Sequence, residues 1–452
     1  MMKIYKNRKI LILGLGFAGG GVGVAQFFAR QGADVVIIDK KTKQELKESV
    51  EKLKKYRNIR FSLGIKITKH RVFSNFDMAV LNPAVDLRST IVKKIKKANV
   101  PIASEIGIFL KHCRGKVIAI TGTKGKGTTA TLVYTILKKA FRLRSRQAKK
   151  DVVLGGNIGV SLLEKLPSIS KNTFVVLEVS SFQLDLLALA KVKPLFFVSA
   201  LTNIYPDHLD RYNSFADYKK SKLTVFKYYA RHRIDGRKLA AKLPRWIDAN
   251  KIKLIGDHNK KNIALAIEIA KRLNIKKEII RKVVYSFRGL PHRLEYVGVK
   301  KRIKFYNDSY STTPDSTIAA LKSLHTFQSS PERSRGAALK SFNQKVILIA
   351  GGVSKGASFK NLAREAEKRA KAVILFGKSA QEIWRAFNNV KSRTFDIFDV
   401  TMAGTLQKAV RKAKKIAQKG DIILFSPACA SFDQFRNARE RGETFTKLVK
   451  RK

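Results

Sequence analysis

The chain has 452 residues and is 44% hydrophobic, enough to core two or three domains. Its 93 Lys and Arg against 33 Asp and Glu leave a net charge of +60. That balance favours anionic ligands, but the basic residues spread over every region and no RNA- or DNA-binding motif stands among them, so nucleic acid is not the expected partner. Two cysteines, Cys113 and Cys429, exclude a disulfide framework and fit a reducing cytoplasm.

The N-terminus is basic over residues 3–9 and apolar over 10–24, which imitates a signal peptide. The run Lys9-Ile10-Leu11-Ile12-Leu13 instead reads as a strand entering Gly14-x-Gly16-x-x-Gly19. A helical stretch follows, and Val35-Val36-Ile37-Ile38-Asp39 is a second strand ending in an acid. This β-α-β pattern with its glycines matches a dinucleotide fingerprint, which holds NAD or another diphosphate at a helix N-terminus. No other apolar run approaches bilayer length, and no membrane association is expected.

Val117-Ile118-Ala119-Ile120 predicts a buried parallel strand. The loop Thr121-Gly122-Thr123-Lys124-Gly125-Lys126-Gly127-Thr128-Thr129 follows, and residues 131–137 have helical spacing. Strand, glycine-rich loop and helix together aim backbone N–H groups at an anion. Lys126 is placed to reach β- and γ-phosphates, and Thr128 or Thr129 to offer a hydroxyl to Mg²⁺. The spacing is the shorter G-x-x-G-K, and Gly127 stands where a hydroxyl residue usually follows the lysine, which moves the metal hydroxyl to Thr128.

Phe174-Val175-Val176-Leu177 is a second buried strand with Glu178 at its end, where a metal-facing acid belongs. His208 follows in a polar loop with Asp207 and Asp210. Residues 138–150 and 329–340 read as exposed insertions. The α/β alternation predicts three domains: a Rossmann-like domain over 1–110, a P-loop ATPase-like domain over 111–292, and a Rossmann-like domain over 293–452.

These strings occur in a fixed order with others. Among them are Ser104-Glu105-Ile106, Gly155-Gly156-Asn157-Ile158-Gly159, Glu178-Val179-Ser180-Ser181-Phe182-Gln183-Leu184 and Asn203-Ile204-Tyr205-Pro206-Asp207-His208. Further on come Gly256-Asp257-His258-Asn259-x-x-Asn262, Gly289-Leu290-Pro291-His292-Arg293, Asn307-Asp308-Ser309 and Ser426-Pro427-Ala428-Cys429-Ala430-Ser431-Phe432. Over nearly its whole length the chain resembles the Mur ligase family, and within it the branch that adds D-glutamate.

The resemblance implies a cytoplasmic, monomeric ATP-dependent ligase in peptidoglycan precursor synthesis that uses Mg²⁺. Its reaction activates the carboxylate of UDP-N-acetylmuramoyl-L-alanine as an acyl phosphate and joins it to D-glutamate. The implied catalytic set is Lys126, Glu178, His208 and Lys222, with Lys222 as a carbamylated lysine. Metal contacts fall to Thr128, Glu178, His208 and Lys222. ATP falls to Gly122, Thr123, Lys124, Gly125, Lys126, Gly127, Thr128, Asn262, Arg293 and Asp308. The UDP-muramoyl-alanine set is Gly14, Gly16, Phe17, Ala18, Asp39, Asn157, Ser180 and Gln183, with UDP rather than NAD on the glycines. D-Glutamate falls to Thr312, Lys355, Ser431 and Phe432.

The span from Lys222 to Gly256 is short for the family, and residues 229–249 are basic and weakly apolar, so a loss at the sheet edge is expected there. Tyr310, Val353 and Ala438 depart from the pattern near the amino-acid pocket, which leaves the acceptor open. Two other readings stay open: a folylpolyglutamate-type amide ligase, and a degraded ligase fold serving as a basic binding module. The N-terminal UDP-type domain speaks against the first, and retention of Lys126, Glu178, His208 and Lys222 against the second.

Overall fold

A computed structural model describes residues 4–16, 20–64, 73–144, 151–157, 161–239, 243–328, 346–390 and 399–451. Phe17 and Ala18, with the neighbouring Gly19, fall outside the described residues, as do Ile158, Gly159 and the stretch 329–340.

The chain forms two compact units. One comprises Met1–Pro244 and Lys261–Val283, the other Arg245–Lys260 and Val284–Lys452. The first unit holds two parallel sheets. β1 (Lys9–Leu13), β2 (Asp34–Asp39), β3 (Ile59–Leu63), β4 (Met78–Leu81) and β5 (Ile102–Ala103) lie in the order β3-β2-β1-β4-β5. β6 (Lys116–Thr121), β7 (Val152–Gly156), β8 (Phe174–Glu178), β9 (Leu195–Leu201) and β10 (Tyr229–Asp235) lie in the order β10-β9-β6-β8-β7. β1, β6 and β8 are buried almost throughout, as strands covered on both faces must be, which is why they read as unbroken apolar runs.

The second unit holds β11 (Glu295–Lys300), β12 (Ile303–Asn307), β13 (Val346–Gly351), β14 (Ala370–Phe376), β15 (Asp399–Gly404) and β16 (Ile422–Phe425) in the order β11-β12-β16-β13-β14-β15. Among the described strands of this sheet, only β11 pairs antiparallel.

Strand order fixes where ligands can sit. In an open parallel sheet, loops diverge where successive strands are laid down on opposite sides, and a crevice opens there at the strands' carboxyl ends. In the first sheet that point lies between β1 and β4, where the turns beginning at Gly14 and Asn82 leave. In the second it lies at β6, flanked by β8 and β9, where the phosphate loop leaves. In the third it lies between β13 and β16, which end at Gly351 and Phe425.

Two sequence expectations need correction. Residues 138–144 are helical, not looped: the helix Lys126–Arg144 runs through them because Leu137, Ala140 and Phe141 continue its buried stripe. Within 229–249, Tyr229–Asp235 is a strand that joins the second sheet at its edge. It reads as weakly apolar because Tyr229, Arg231 and Arg233 face solvent in alternation with more covered neighbours.

Candidate active site

The phosphate loop leaves β6 at Gly122 (φ +141°) and turns into the helix at Gly125 (φ +82°). Both glycines are required twice over. Their φ values disfavour other residues, and a Cβ at Gly122 would strike Thr202 Oγ1 while one at Gly125 would strike Asn262 Oδ1. The loop is braced from the β9 side. Thr123 N donates to the Asn203 carbonyl and Lys124 N to Asn203 Oδ1, both at 2.9 Å, while Thr202 Oγ1 donates to the Lys124 carbonyl at 2.7 Å.

Lys126 opens the helix and folds its ammonium over the loop, donating to the carbonyls of Gly122 and Thr123 at 2.9 Å each. Its charge therefore sits against two loop carbonyls at the start of the helix Lys126–Arg144, the end of a helix that favours an anion. Thr128 is half-buried. Thr129 is fully buried, and its hydroxyl has no hydrogen-bond partner among the described residues.

Glu178 ends β8 beside Ile120 of β6. It is 8% exposed and accepts from Asn157 Nδ2 at 3.1 Å. Asn157 N donates to the Glu178 carbonyl at 2.8 Å, so the two residues are locked by backbone and side chain together. Ser180 and Gln183 form a reciprocal capping box on the helix Ser181–Leu189, which fixes that helix N-terminus beside Glu178.

Lys222 lies on the helix Phe215–Leu223 and is 2% exposed, against the ring of Tyr218. Burial, reinforced by the charge of Lys126, pulls its amine down to about 7; Asp207, Glu178 and Asp185 act the other way. The amine is thus electrically coupled to the loop lysine and the strand-end acid. His208 has φ +54° and stands edge-on to Phe182 at 5.0 Å. Desolvation lowers its pKa, with the charge of Asp207 opposing. Lys124 pairs with Asp207 at 3.3 Å.

The glycine turn after β1 places Gly14 (φ +86°) and Gly16 (φ +65°) next to Asp39. The Asp39 carboxylate accepts from Leu15 N at 2.8 Å, Gly16 N at 3.3 Å and Lys41 N at 2.9 Å. The carboxylate is spent on shaping the turn, a use that the fingerprint reading did not foresee.

In the second unit, Val353 and Ala430 pair as an antiparallel bridge at 2.9 Å in both directions, which draws the loops after β13 and β16 together. Lys355 Nζ reaches Thr312 Oγ1 at 3.4 Å, Ser431 is buried beside this bridge, and Phe432 is 73% exposed. Arg293 stacks on Tyr310 at 5.0 Å. Asp308 is buried, and both its oxygens are engaged: Oδ1 accepts from Leu294 N at 2.9 Å, Oδ2 from Ser311 Oγ at 2.5 Å and Ser426 Oγ at 2.8 Å. Burial raises it to about 6. Its observed work is to fasten the Arg293–Leu294 segment to the start of the Ser426 loop.

Sequence reading overlooked Arg441, which is wholly buried. It donates to the Ser309 hydroxyl and carbonyl and to the Cys429 carbonyl at 2.8–3.1 Å. A lone arginine in a helical pattern carries no signal of such a role.

Among the described residues, no three His, Cys, Asp or Glu side chains converge as a ready metal cluster. Mg²⁺ does not need one, since it is commonly held by one or two carboxylates with phosphate oxygens and water. Glu178 and a threonine hydroxyl of the loop suit that donor chemistry. No helix of the described residues is long and apolar enough to cross a membrane.

A phosphate loop at a sheet's switch point, with a buried acid on the adjacent strand, defines an α/β nucleotide-using enzyme. Family models match along the chain: the MurD-like N-terminal domain over residues 8–104, the Mur ligase middle domain over 120–235 and the Mur ligase glutamate ligase domain over 292–429. The chain is 32% identical to a Clostridium tetani protein over 99% of its own length and 98% of the other. It is 33% identical to a Roseiflexus protein, covering 98% of each. Both relatives are named UDP-N-acetylmuramoylalanine--D-glutamate ligase.

The UDP-N-acetylmuramate-alanine ligase MurC of Thermotoga maritima shares the fold, with a TM-score of 0.60 and 18% identity over 98% of this chain and 99% of that one. A Mycobacterium tuberculosis folylpolyglutamate synthase complexed with ADP superposes with a TM-score of 0.52 and 12% identity, over 77% of this chain and 96% of its own. The chain belongs to the Mur ligase family, a family of ATP-dependent ligases built from three α/β domains.

Proposed function

We propose that the chain joins D-glutamate to UDP-N-acetylmuramoyl-L-alanine at the expense of ATP, in the synthesis of peptidoglycan precursors. The observation that carries this reading is the near full-length likeness to relatives named for that reaction, together with Lys126, Glu178 and Lys222 coupled around one switch point.

The substrate carboxylate attacks the γ-phosphorus of ATP, giving an acyl phosphate and ADP. The amine of D-glutamate then attacks the acyl carbon, expelling phosphate and forming the amide. Both steps gather negative charge at the transferring group, so positioned cations and N–H donors supply most of the rate. Gly122, Thr123, Lys124, Gly125, Gly127 and Thr128 cradle the phosphates. Lys126 moves from its loop carbonyls onto the phosphate oxygens. Asn262, against Gly125, keeps the turn open. Arg293 meets phosphate, held in place by Tyr310 and by the Asp308-bound segment.

Thr128, Glu178, His208 and Lys222 would hold Mg²⁺, which would supply neutralisation of phosphate charge. Lys222 serves there as its carbamate: the neutral amine adds to CO2, loses a proton and becomes an anionic oxygen donor. Gly14, Gly16, Phe17, Ala18 and Asp39 form the UDP end of the substrate site, and Asn157, Ser180 and Gln183 its acyl end. Thr312, Lys355, Ser431 and Phe432 receive the dicarboxylic amino acid, the ammonium of Lys355 pairing with a carboxylate. The working division is 1–110, 111–292 and 293–452, in the cytoplasm, as a monomer.

The test is phosphate release with UDP-N-acetylmuramoyl-L-alanine, ATP, Mg²⁺ and single amino acids. Release that depends on D-glutamate is expected. Release with another amino acid alone would move the acceptor, and no release with any would overturn the reading.

A further inference from the structure

Arg211 ends the turn that carries His208, and its own N–H donates to the His208 carbonyl at 2.9 Å. Its guanidinium reaches away from that turn. Nη1 donates to the Ala84 carbonyl at 3.1 Å and Nη2 to the Val85 carbonyl at 2.9 Å. The planar group also lies over Phe182, 4.6 Å from the ring centroid. Phe182 in turn meets His208 edge-on at 5.0 Å and stacks on Tyr212 at 5.9 Å. Two adjacent carbonyls and an aromatic face suit a planar fork and do not suit the point charge of an ammonium.

The two carbonyls belong to the turn that leaves β4. Asn82 N donates to the Leu13 carbonyl, Ala84 N to Asn82 Oδ1 and Val85 N to the Asn82 carbonyl, each at 2.9 Å. This turn is the floor of the glycine loop. A Cβ at Gly14 would lie 3.0 Å from Asn82 Cβ and 3.3 Å from Val85 Cγ2, and one at Gly16 would lie 3.5 Å from Asn82 Nδ2. Arg88 adds a second tie, donating to the Asp210 carbonyl at 3.1 Å and to Asn213 Oδ1 at 3.3 Å.

We propose that Arg211 is a positioning residue that ties the floor of the Gly14–Gly16 turn to Phe182 and His208, so that the nucleotide end and the acyl end of one substrate are held at a fixed separation. The inference rests on the substrate assignment given above. A substrate anchored through its diphosphate presents its far carboxylate correctly only if the two anchoring points keep their spacing. Small misplacements of reacting groups cost large factors in rate. The Arg211 side chain touches the Ala84–Val85 floor on one side and, on the other, Phe182, which faces His208 and directly precedes the acyl-end residue Gln183.

The experiment measures calorimetric binding of UDP-N-acetylmuramoyl-L-alanine and of UDP alone to the full chain, with steady-state kinetics alongside. For R211K and R211Q we expect affinity for the whole substrate to fall about tenfold or more and kcat to fall with it, since remote binding energy is what aligns the acyl end. Affinity for UDP alone and the KM for ATP stay within about twofold, because neither spans the two points. Phe182→Leu, which removes only the stacking face, shows the same selectivity at smaller size and serves if the arginine variants fold poorly. Equal losses for UDP and the whole substrate, or wild-type affinity in R211K, overturn the positioning role alone. A wild-type chain that binds neither ligand overturns the substrate assignment and this inference with it.

Discussion

Lys222 is the residue whose surroundings say most. A lysine 2% exposed, beside a second lysine, is held at about 7, far below its ordinary 10.5. In the unfolded chain the same amine keeps its proton up to its ordinary value. Between those two values the unfolded state binds the extra proton, so this group makes stability rise with pH across the window and penalises the native state below it. Lys222→Met is expected to flatten the rise in thermal stability from pH 7 to 10 relative to wild type; an unchanged difference between the two proteins across that range would contradict the burial argument. The same chemistry bears on activity. Lys222→Ala is expected to lose about a thousandfold in kcat and to regain part of it with added short carboxylates, which replace the missing anionic oxygen. Full activity without rescue would remove Lys222 from the site.

At the scale of elements, the phosphate loop and the caps decide how well the site is held. Gly125 has φ +82°, and its missing Cβ leaves the space that Asn262 fills. Gly125→Ala therefore combines backbone strain of about 1–2 kcal/mol with displacement of Asn262. The expected result is a KM for ATP raised at least tenfold with little change in the KM for the muramoyl substrate, read by coupled phosphate release. The helix Ser181–Leu189 depends on a different device. Its capping box satisfies two backbone donors at once, so Ser180→Ala is expected to lower stability by about 1 kcal/mol in denaturant titration. A loss confined to activity, with stability untouched, would mean that Ser180 serves the substrate alone.

For the whole molecule the dominant quantity is charge. A net +60 on 452 residues repels itself and draws anionic substrates from a distance. Both effects act through solvent and are screened within about 10 Å at 0.1 M salt. Raising salt from 0.05 to about 0.5 M is therefore expected to raise the melting temperature and also the KM values for ATP and the UDP-linked substrate. A melting temperature that falls with added salt would show that specific ion pairs, rather than net repulsion, govern stability. The free amino acid, with its smaller charge, is expected to show the weaker salt effect of the substrates.

The sequence by itself determined the local pieces. Apolar runs such as residues 117–120 and 174–177 read as strands covered on both faces, and glycines on either side of Lys124 as a tight loop, because backbone sterics and burial act over a few residues. It also carried the order of strings that marks the family. The tertiary structure decided what those pieces do to one another. Asp39 and Asp308 read as ligand-facing acids, yet each spends its oxygens on backbone or hydroxyl donors that folding brings from elsewhere. The low pKa of Lys222 arises from burial and then from Lys126, neither visible at position 222 alone. Arg441 and Arg211 gain their roles from carbonyls 12 and 126 or more positions away. The physical reason is that desolvation, Coulomb coupling and hydrogen-bond geometry depend on distance through space, which strand order at the switch points sets and residue spacing along the chain does not.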